Sequence, residues 1–447
     1  MKFSEGLLHA RSSIVFLFSL GLCLCLVVAL DAWKPSERVR ISPWPEVSAE
    51  IPMTTHRDLT PQELAWARVA WKYFVRNYQP GTGLVNSVDQ YPASTMWDTG
   101  SYLLALISSE RLGIVTRQEF DSRMDKALES LATLPLFDGA LPNKSYNVIS
   151  LKMVDYKNNE TSRGIGWSAI DVGRLFVPFN ILVWHYPEHA QAVKKIIGSW
   201  KLENAIERGQ LFGAAVDASG KTVRVQEGRL GYEQYCAKSY SLMGLDVSVA
   251  LNYDNFLQYV PIYGVQIPTD GRRPEQYHAL NYVVSEPYIL DGLEYGWDTS
   301  SREFAFRVFR VQQERYSRLH VLSAVSEDNL DRAPYFVYNT VYTNGKAWNT
   351  VVENGDDASH FKTLSTKAAF GWQALYDSPY TSLLIGGVAS LNDPDRGWFA
   401  GKYESFPEIN RALTANTNAI VLESLCFRKL GNLLQLREPM RGSGISE

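Results

Sequence analysis

Four short segments of this chain place an acid beside aromatic residues at what reads as a helix N-terminus. They are Met96-Trp97-Asp98-Thr99-Gly100-Ser101-Tyr102, Ile165-Gly166-Trp167-Ser168-Ala169-Ile170-Asp171, Gly231-Tyr232-Glu233-Gln234-Tyr235 and Val284-Ser285-Glu286-Pro287-Tyr288. Between each acid and the next lies enough chain for a helix, a turn, a return helix and a loop. Repeated hairpins of that kind suit a ring whose inner helices run parallel, so that all their first turns open on one end. Any single acid has a simpler account, because Asp or Glu in a first turn complements the helix dipole and caps free amides, worth a few tenths to about 1 kcal/mol. Four in register, each beside Trp or Tyr, are harder to explain by capping alone.

The helical pattern agrees with a ring. Thr60-Pro61-Gln62-Glu63 offers a Thr N-cap, Pro at the first helical position and Glu at the third, ahead of an apolar stripe through Ala65, Val69, Tyr73 and Phe74. Periodicity returns at about 95–112, 116–134, 167–186, 188–210, 229–252, 286–296, 301–318, 365–376, 379–391 and 407–429. With a twelfth helix near 325–333 or 346–353, these segments predict an all-α protein, an (α/α)6 toroid of six helical hairpins. The loops 139–146, 335–340 and 397–403 mix small residues with aromatics and read either as short β-hairpins over a cleft or as ordinary caps over the core.

The chain has 447 residues, and its organisation reads as a signal-anchor or signal peptide (1–32), a Pro-rich linker (33–58), the toroid (59–432) and a flexible tail (433–447). Lys2, His9 and Arg11 precede an uncharged apolar run from Ile14 to Leu30. That run is at the low end for spanning a bilayer, and Leu30-Asp31-Ala32 is a poor cleavage site, so the expectation is an uncleaved inner-membrane tether with the body outside the cytoplasm, in the periplasm. A net charge of −4 gives no basic face for counterion release, which argues against nucleic acid as the partner. Cys236 and Cys426 read either as a bridge or as two buried thiols. The seven histidines lack metal-ligand spacing, and no phosphate loop, nucleophile elbow or zinc signature appears, so no metal or cofactor is expected.

The segments WDTGSYLLAL, GWSAIDVGRLF, GRLGYEQYCAKSYSLMG and VSEPYILDGLEYG, with GWFAGKYESFPEINRALTANTNAIVLESL near the C-terminus, resemble bacterial glucoamylase-like proteins grouped as a domain of unknown function. That group is distantly similar to endo-β-1,2-glucanases and cyclic-glucan-processing toroids. The likeness spans about residues 60 to 430 and implies a six-hairpin toroid with an acidic active site at the ring mouth.

Glycoside hydrolysis needs one protonated carboxyl and one ionised one. Glu233, between Tyr232 and Tyr235, has the most apolar setting and is the expected acid. Asp98, followed by the hydroxyls of Thr99 and Ser101, is the expected ionised partner, and Glu286 rivals both. Asp171 either binds substrate or pairs with Arg174 or Arg163 as a structural residue. Trp97, Trp167, Tyr232, Tyr288 and Trp372 are candidate sugar platforms or core residues, in a chain that is 12% aromatic. Asn344, Asn416 and Asn418 are candidates for hydroxyl binding or capping. The expected partner is a polysaccharide or oligosaccharide, with a bacterial glucan or exopolysaccharide as substrate. Two other readings stay open: a polysaccharide lyase using Tyr232, His278 and Arg229, and a non-catalytic glycan-binding component of an export system.

Overall fold

A computed structural model of the chain describes residues 48–434, His278 excepted. The apolar run 14–30, the first part of the linker and the C-terminal tail beyond Leu434 lie outside the described residues; Leu433 and Leu434, expected in that tail, are buried, their amides donating to the Leu293 and Glu294 carbonyls. Among those described, no helix is long and apolar enough to cross a membrane.

Helix α1 (Pro61–Arg76) starts as its sequence dictates: the Thr60 hydroxyl accepts from the Glu63 amide at 3.2 Å, and the Glu63 carboxylate accepts from the Thr60 amide at 2.8 Å. Its buried stripe runs through Ala67, Ala70, Trp71 and Phe74, with Tyr73 beside it. Ala65, expected on that stripe, is exposed.

Six further helices close a ring. They are α2 (Met96–Arg111), α4 (Ala169–His185), α6 (Tyr232–Leu242), α7 (Glu286–Glu294), α9 (Thr366–Leu375) and α11 (Ala415–Leu430). Each packs against the next, and α11 returns to α2. These helices are buried around most of their circumference; every residue of α7 is buried, as expected of helices enclosed on all sides. The outer layer is α1 on α11, α3 (Arg117–Leu131) on α2, α5 (Pro187–Gly198) on α4, α8 (Thr299–Leu319) on α7 and α10 (Pro379–Val388) on α9.

All eleven helices anticipated from periodicity are present, and among the described residues the twelfth is not; the one other α-helical segment there is the single turn Pro274–Tyr277. In its place after α6 stands a β-hairpin, Leu257–Ile262 with Val265–Asp270, whose second strand packs on α8. Helix α6 stops well short of residue 252 because Gly244 takes a left-handed φ of 81°. Beyond it, Asp246 and Asn252 accept from the amides of Ser248 and Asp254 at 3.1 and 2.8 Å, local bonds that compete with a helix. The two segments expected to supply the twelfth helix form strands instead, at Glu327–Asn329, Lys346–Ala347 and Thr350–Val351. Likewise 409–413 is a strand paired with Gly397–Tyr403, so α11 begins only at Ala415.

The packed body also begins ahead of residue 59. The Ser48 amide donates to Glu303 of α8 at 2.9 Å, and the Thr54 amide to the Leu375 carbonyl at 3.0 Å. The end of the Pro-rich segment is thus laid against the ring. Under the loops at the ring mouth, Leu330, Val337, Ala358 and Tyr403 form a small second core.

Candidate active site

Short strands fix where inner helices start. Ala93–Thr95 runs into α2, Thr363–Ser365 into α9, and Ile409–Leu413 through the Thr414 cap into α11. Thr95 is paired to Ser145 and Ser365 to Gly401 across antiparallel ladders. The N-cap hydroxyls then do two jobs. Thr95 accepts from the Asp98 amide (3.1 Å) and donates to its carboxylate (3.0 Å), and Ser168 does the same for Asp171 at 3.1 Å each. Capping therefore accounts for the place of Asp98 and Asp171 within their helices, whereas the helix of Glu286 has no side-chain cap; it does not account for what the acids meet across the ring.

There the first turns converge. Glu286 on α7 accepts from the Asn416 amide group on α11 at 2.8 Å and is ion-paired with Lys367 on α9. Asn416 in turn accepts from Ser101 on α2 at 3.3 Å. Trp97 on α2 meets Tyr232 on α6 edge-on, 5.5 Å between ring centres, and the Tyr232 hydroxyl donates to Glu327. Asp328, next in chain, turns to the opposite face and accepts from Thr363 and Ser365 at 2.9 and 3.0 Å. Glu227 approaches the first turn of α4, accepting from the Ala169 amide at 2.6 Å.

So many carboxyls in one recess repel each other's charge, and enclosure adds to the effect. Burial, then the charges of Glu227 and Asp98, push Asp171 up to about 7. Burial and the charge of Glu286 push Glu327 up to about 8. Asp328 rises to about 7, chiefly through burial, against the pull of Lys367. Asp98 and Glu227 are also raised, burial being the main cause. Burial draws the Lys367 ammonium down, but Glu286, Asp328 and Glu327 outweigh it and hold it above the ordinary lysine range. The second carboxylate oxygen of Glu327 has no hydrogen-bond partner among the described residues.

Of the residues expected in the cleft, Asp98, Asp171, Glu286, Trp97, Tyr232 and Asn416 meet there. Glu233 does not. Its carboxylate is buried and held by Arg272 at 2.6 Å and Gln226 at 2.9 Å, with Asp270 on the same guanidinium. Asp171 is not paired with either expected arginine: Arg163 binds Asp138, and Arg174 binds Glu294 and Glu423. Trp167 is buried, its indole donating to the Phe212 carbonyl at 3.0 Å. Tyr288 and Trp372 are core residues, and Asn418 is buried, accepting from the Trp398 amide at 2.8 Å. Asn344 is exposed in the tight turn between Tyr342–Thr343 and Lys346–Ala347, where it and Gly345 take φ of 49° and 75°, as a two-residue hairpin turn requires. Arg229 is buried against Gln226 at 2.6 Å, and His278 lies outside the described residues.

Beneath the cleft the ring is filled. Arg174 of α4 is ion-paired with Glu294 of α7 and with Glu423 of α11, the latter at 2.9 Å, and receives the face of Trp97 at 5.5 Å. Tyr235 of α6 donates to Glu294 at 2.7 Å. Elsewhere, Asp121, Glu188 and His189 lie within 4.8 Å of one another on the outer layer. Arg117 already pairs with both of those carboxylates, and the two His189 nitrogens each stand 3.0 Å from an Asp oxygen, the wiring of a charged structural cluster. Cys236 and Cys426 are free, buried thiols.

The helical ring is similar in fold to glucoamylase-like toroids of known structure. A candidate glucoamylase from Bacteroides caccae matches with a TM-score of 0.61 at 12% identity, over 83% of this chain and 94% of its own. The endo-β-1,2-glucanase from Chitinophaga pinensis, solved with sophorotriose and glucose, gives 0.59 at 13% identity over 84% and 94%. That from Talaromyces funiculosus, solved in substituted form with β-1,2-glucan, gives 0.55 at 13% over 83% and 84%. At such identities the likeness is one of fold. The chain itself belongs to the DUF3131 family, proteins of unknown function, whose profile matches residues 65–431. No curated protein matches it in sequence.

Proposed function

We propose that this protein is a glycoside hydrolase acting on a bacterial glucan or exopolysaccharide, with Glu327 as general acid and Asp98 as its ionised partner. The observation that carries the reading is the meeting of Asp98, Asp171, Glu286 and Glu327 at one end of the ring. Glu327, raised to about 8, keeps its proton at neutral pH and has a carboxyl oxygen with no partner. Protonating a leaving oxygen needs such a group. Asp98 lies beside Trp97, which touches the tyrosine that holds Glu327. Trp97, half-buried there, offers a ring face to a sugar. Glu286, tied to Lys367 and Asn416, orients the cluster from below.

The acid excess also bears on the alternatives. A lyase acting on uronates needs a cation to neutralise the substrate carboxylate; Lys367 is committed to Glu286, and Arg229 turns to Gln226. The test is to incubate the purified protein with a panel of bacterial glucans and exopolysaccharides and measure new reducing ends. Products carrying an unsaturated chromophore would move the assignment to a lyase. Binding without any cleavage would move it to a glycan-binding component of an export system.

The same reading sets the protein outside the cytoplasm, tethered to the inner membrane by residues 14–30, as the positive residues before that run support. A reporter that is active only in the periplasm, fused after Glu447, checks it; a silent fusion that is stably expressed argues for a cytoplasmic body.

A further inference from the structure

A recess of about 450 Å³ is lined by Pro334, Phe336, Val352, Glu353 and Asn354. Sheet register connects it to the acids. In the ladder between Glu327–Asn329 and Phe336–Asn339, Glu327 stands directly opposite Tyr338, so the two side chains share a face. Phe336, two residues before Tyr338, lies on that face as well. The Phe336 ring meets Tyr338 edge-on at 5.2 Å, and Tyr338 stacks on Tyr282 at 3.8 Å with planes 3° apart. An unbroken aromatic run therefore leads from Glu327 to the recess.

Its outer end is open. Phe336 is 37% exposed and Tyr335 beside it 65%, two large rings that the fold leaves uncovered. Glu353 makes no hydrogen bond or ion pair among the described residues, and its charge reaches Tyr282 and Tyr338, as that of Glu327 does. Flat apolar faces beside an unengaged carboxylate suit a pyranose, which offers an apolar face and a rim of hydroxyl donors. Continuity with the acid cleft argues that the occupant is the same chain.

We propose that the recess at Phe336 and Glu353 is a distal sugar-binding subsite, so that the protein holds a glycan chain several units long along the Tyr282–Tyr338–Phe336 face. The proposal rests on the glycoside hydrolase reading and names which part of the chain that site grips. The test compares kcat/KM for trisaccharides and octasaccharides of linear β-1,2-, β-1,3- and β-1,4-linked glucose, in the native protein and in Phe336→Ala and Glu353→Gln. In parallel, calorimetry measures octasaccharide binding to Glu327→Gln protein with and without Phe336→Ala.

The expected result is that both substitutions lower the octasaccharide-to-trisaccharide ratio of kcat/KM, about three- to tenfold for Phe336→Ala, the scale of one aromatic contact. Octasaccharide Kd should rise by the same factor. Equal losses on both lengths, or none, overturn the subsite while leaving hydrolysis standing. Binding that depends on Phe336 in a protein that cleaves nothing keeps the subsite and removes the hydrolase reading. Absence of both binding and cleavage with every oligosaccharide removes both. Phe336 is exposed, and should its variant melt early, Glu353→Gln carries the comparison.

Discussion

Arg272 donates to Glu233 at 2.6 Å and so ties the end of the Leu257–Asp270 hairpin to the first turn of α6. That hairpin follows α6 in the chain, where the return helix of a sixth pair would come, and the ion pair fastens it to the ring. Removing one member of a buried pair leaves the other's charge uncompensated, at about 3–5 kcal/mol. Asp270 remains on the same guanidinium, so Glu233→Gln is expected to cost about 2–3 kcal/mol, at or below the low end of that range. Turnover per folded molecule should stay near normal. Chemical denaturation alongside active-site titration checks both; a stable but inactive variant returns Glu233 to the chemistry.

Glu327→Gln keeps shape and deletes the proton, and Asp98→Asn deletes the anion. Each is expected to lower kcat by roughly two to four orders of magnitude, the range typical of a lost acid or base, with circular dichroism unchanged. Wild-type activity in either variant reassigns that role.

The pH profile follows from the same two groups. Glu327, raised to about 8, must be protonated, so the rate should fall as pH rises through 8. Asp98 must be ionised, so the rate should also fall on the acid side, at a pH above the usual carboxylate range because burial raises it. Measuring kcat/KM against pH should give a bell; removal of the alkaline limb in Glu327→Gln identifies its owner.

Stability should run the opposite way from that of most paired carboxylates. Asp171, Glu327 and Asp328 are raised to about 7, 8 and 7, whereas unfolded carboxyls titrate near ~4. The folded state then holds protons that the unfolded chain has released. Their contribution is present in full below the unfolded value and is lost as pH rises through the folded ones, so Tm should decline between about pH 5 and 8. Asp328→Asn should flatten the decline. A Tm that climbs across this window contradicts the assignment.

Within the ring, Glu423 shares Arg174 with Glu294, and burial together with the Glu294 charge raises it well above the carboxylate range. Burial tilts Glu423 toward its neutral form, which glutamine resembles, so Glu423→Gln should cost less than the loss of Arg174. Arg174→Met strands the carboxylates and should cost roughly 3–5 kcal/mol. Equal effects in urea melts would mean that Glu423 is held as the anion.

Eleven of the twelve expected helices, and their order, were readable because caps such as Thr60 with Glu63 and periodic apolar residues act locally. The ends were less so: α6 and α11 were shortened by Gly244 and by a strand partner far along the chain, and pairing of that kind leaves a weak local signal. The site was half readable. Asp98, Asp171 and Glu286 share a position at inner-helix starts, and Glu233 shares that position too, yet Arg272, brought in by the hairpin, claims it. Lys367 and Asn416 occupy the same position on α9 and α11; a search confined to acids passes over the lysine. Glu327 comes from a strand, where helix periodicity offers no guide.

The buried quartet of Arg174, Tyr235, Glu294 and Glu423 spans four inner helices with no exposed surface on any member. It makes the toroid a cup rather than a tunnel. On the hydrolase reading, a glycan would not be threaded through such a body or pulled along its axis; it would lie across the rim and leave by the side on which it arrived. Sliding between successive cuts would then have to follow the rim, along the direction of the aromatic rings.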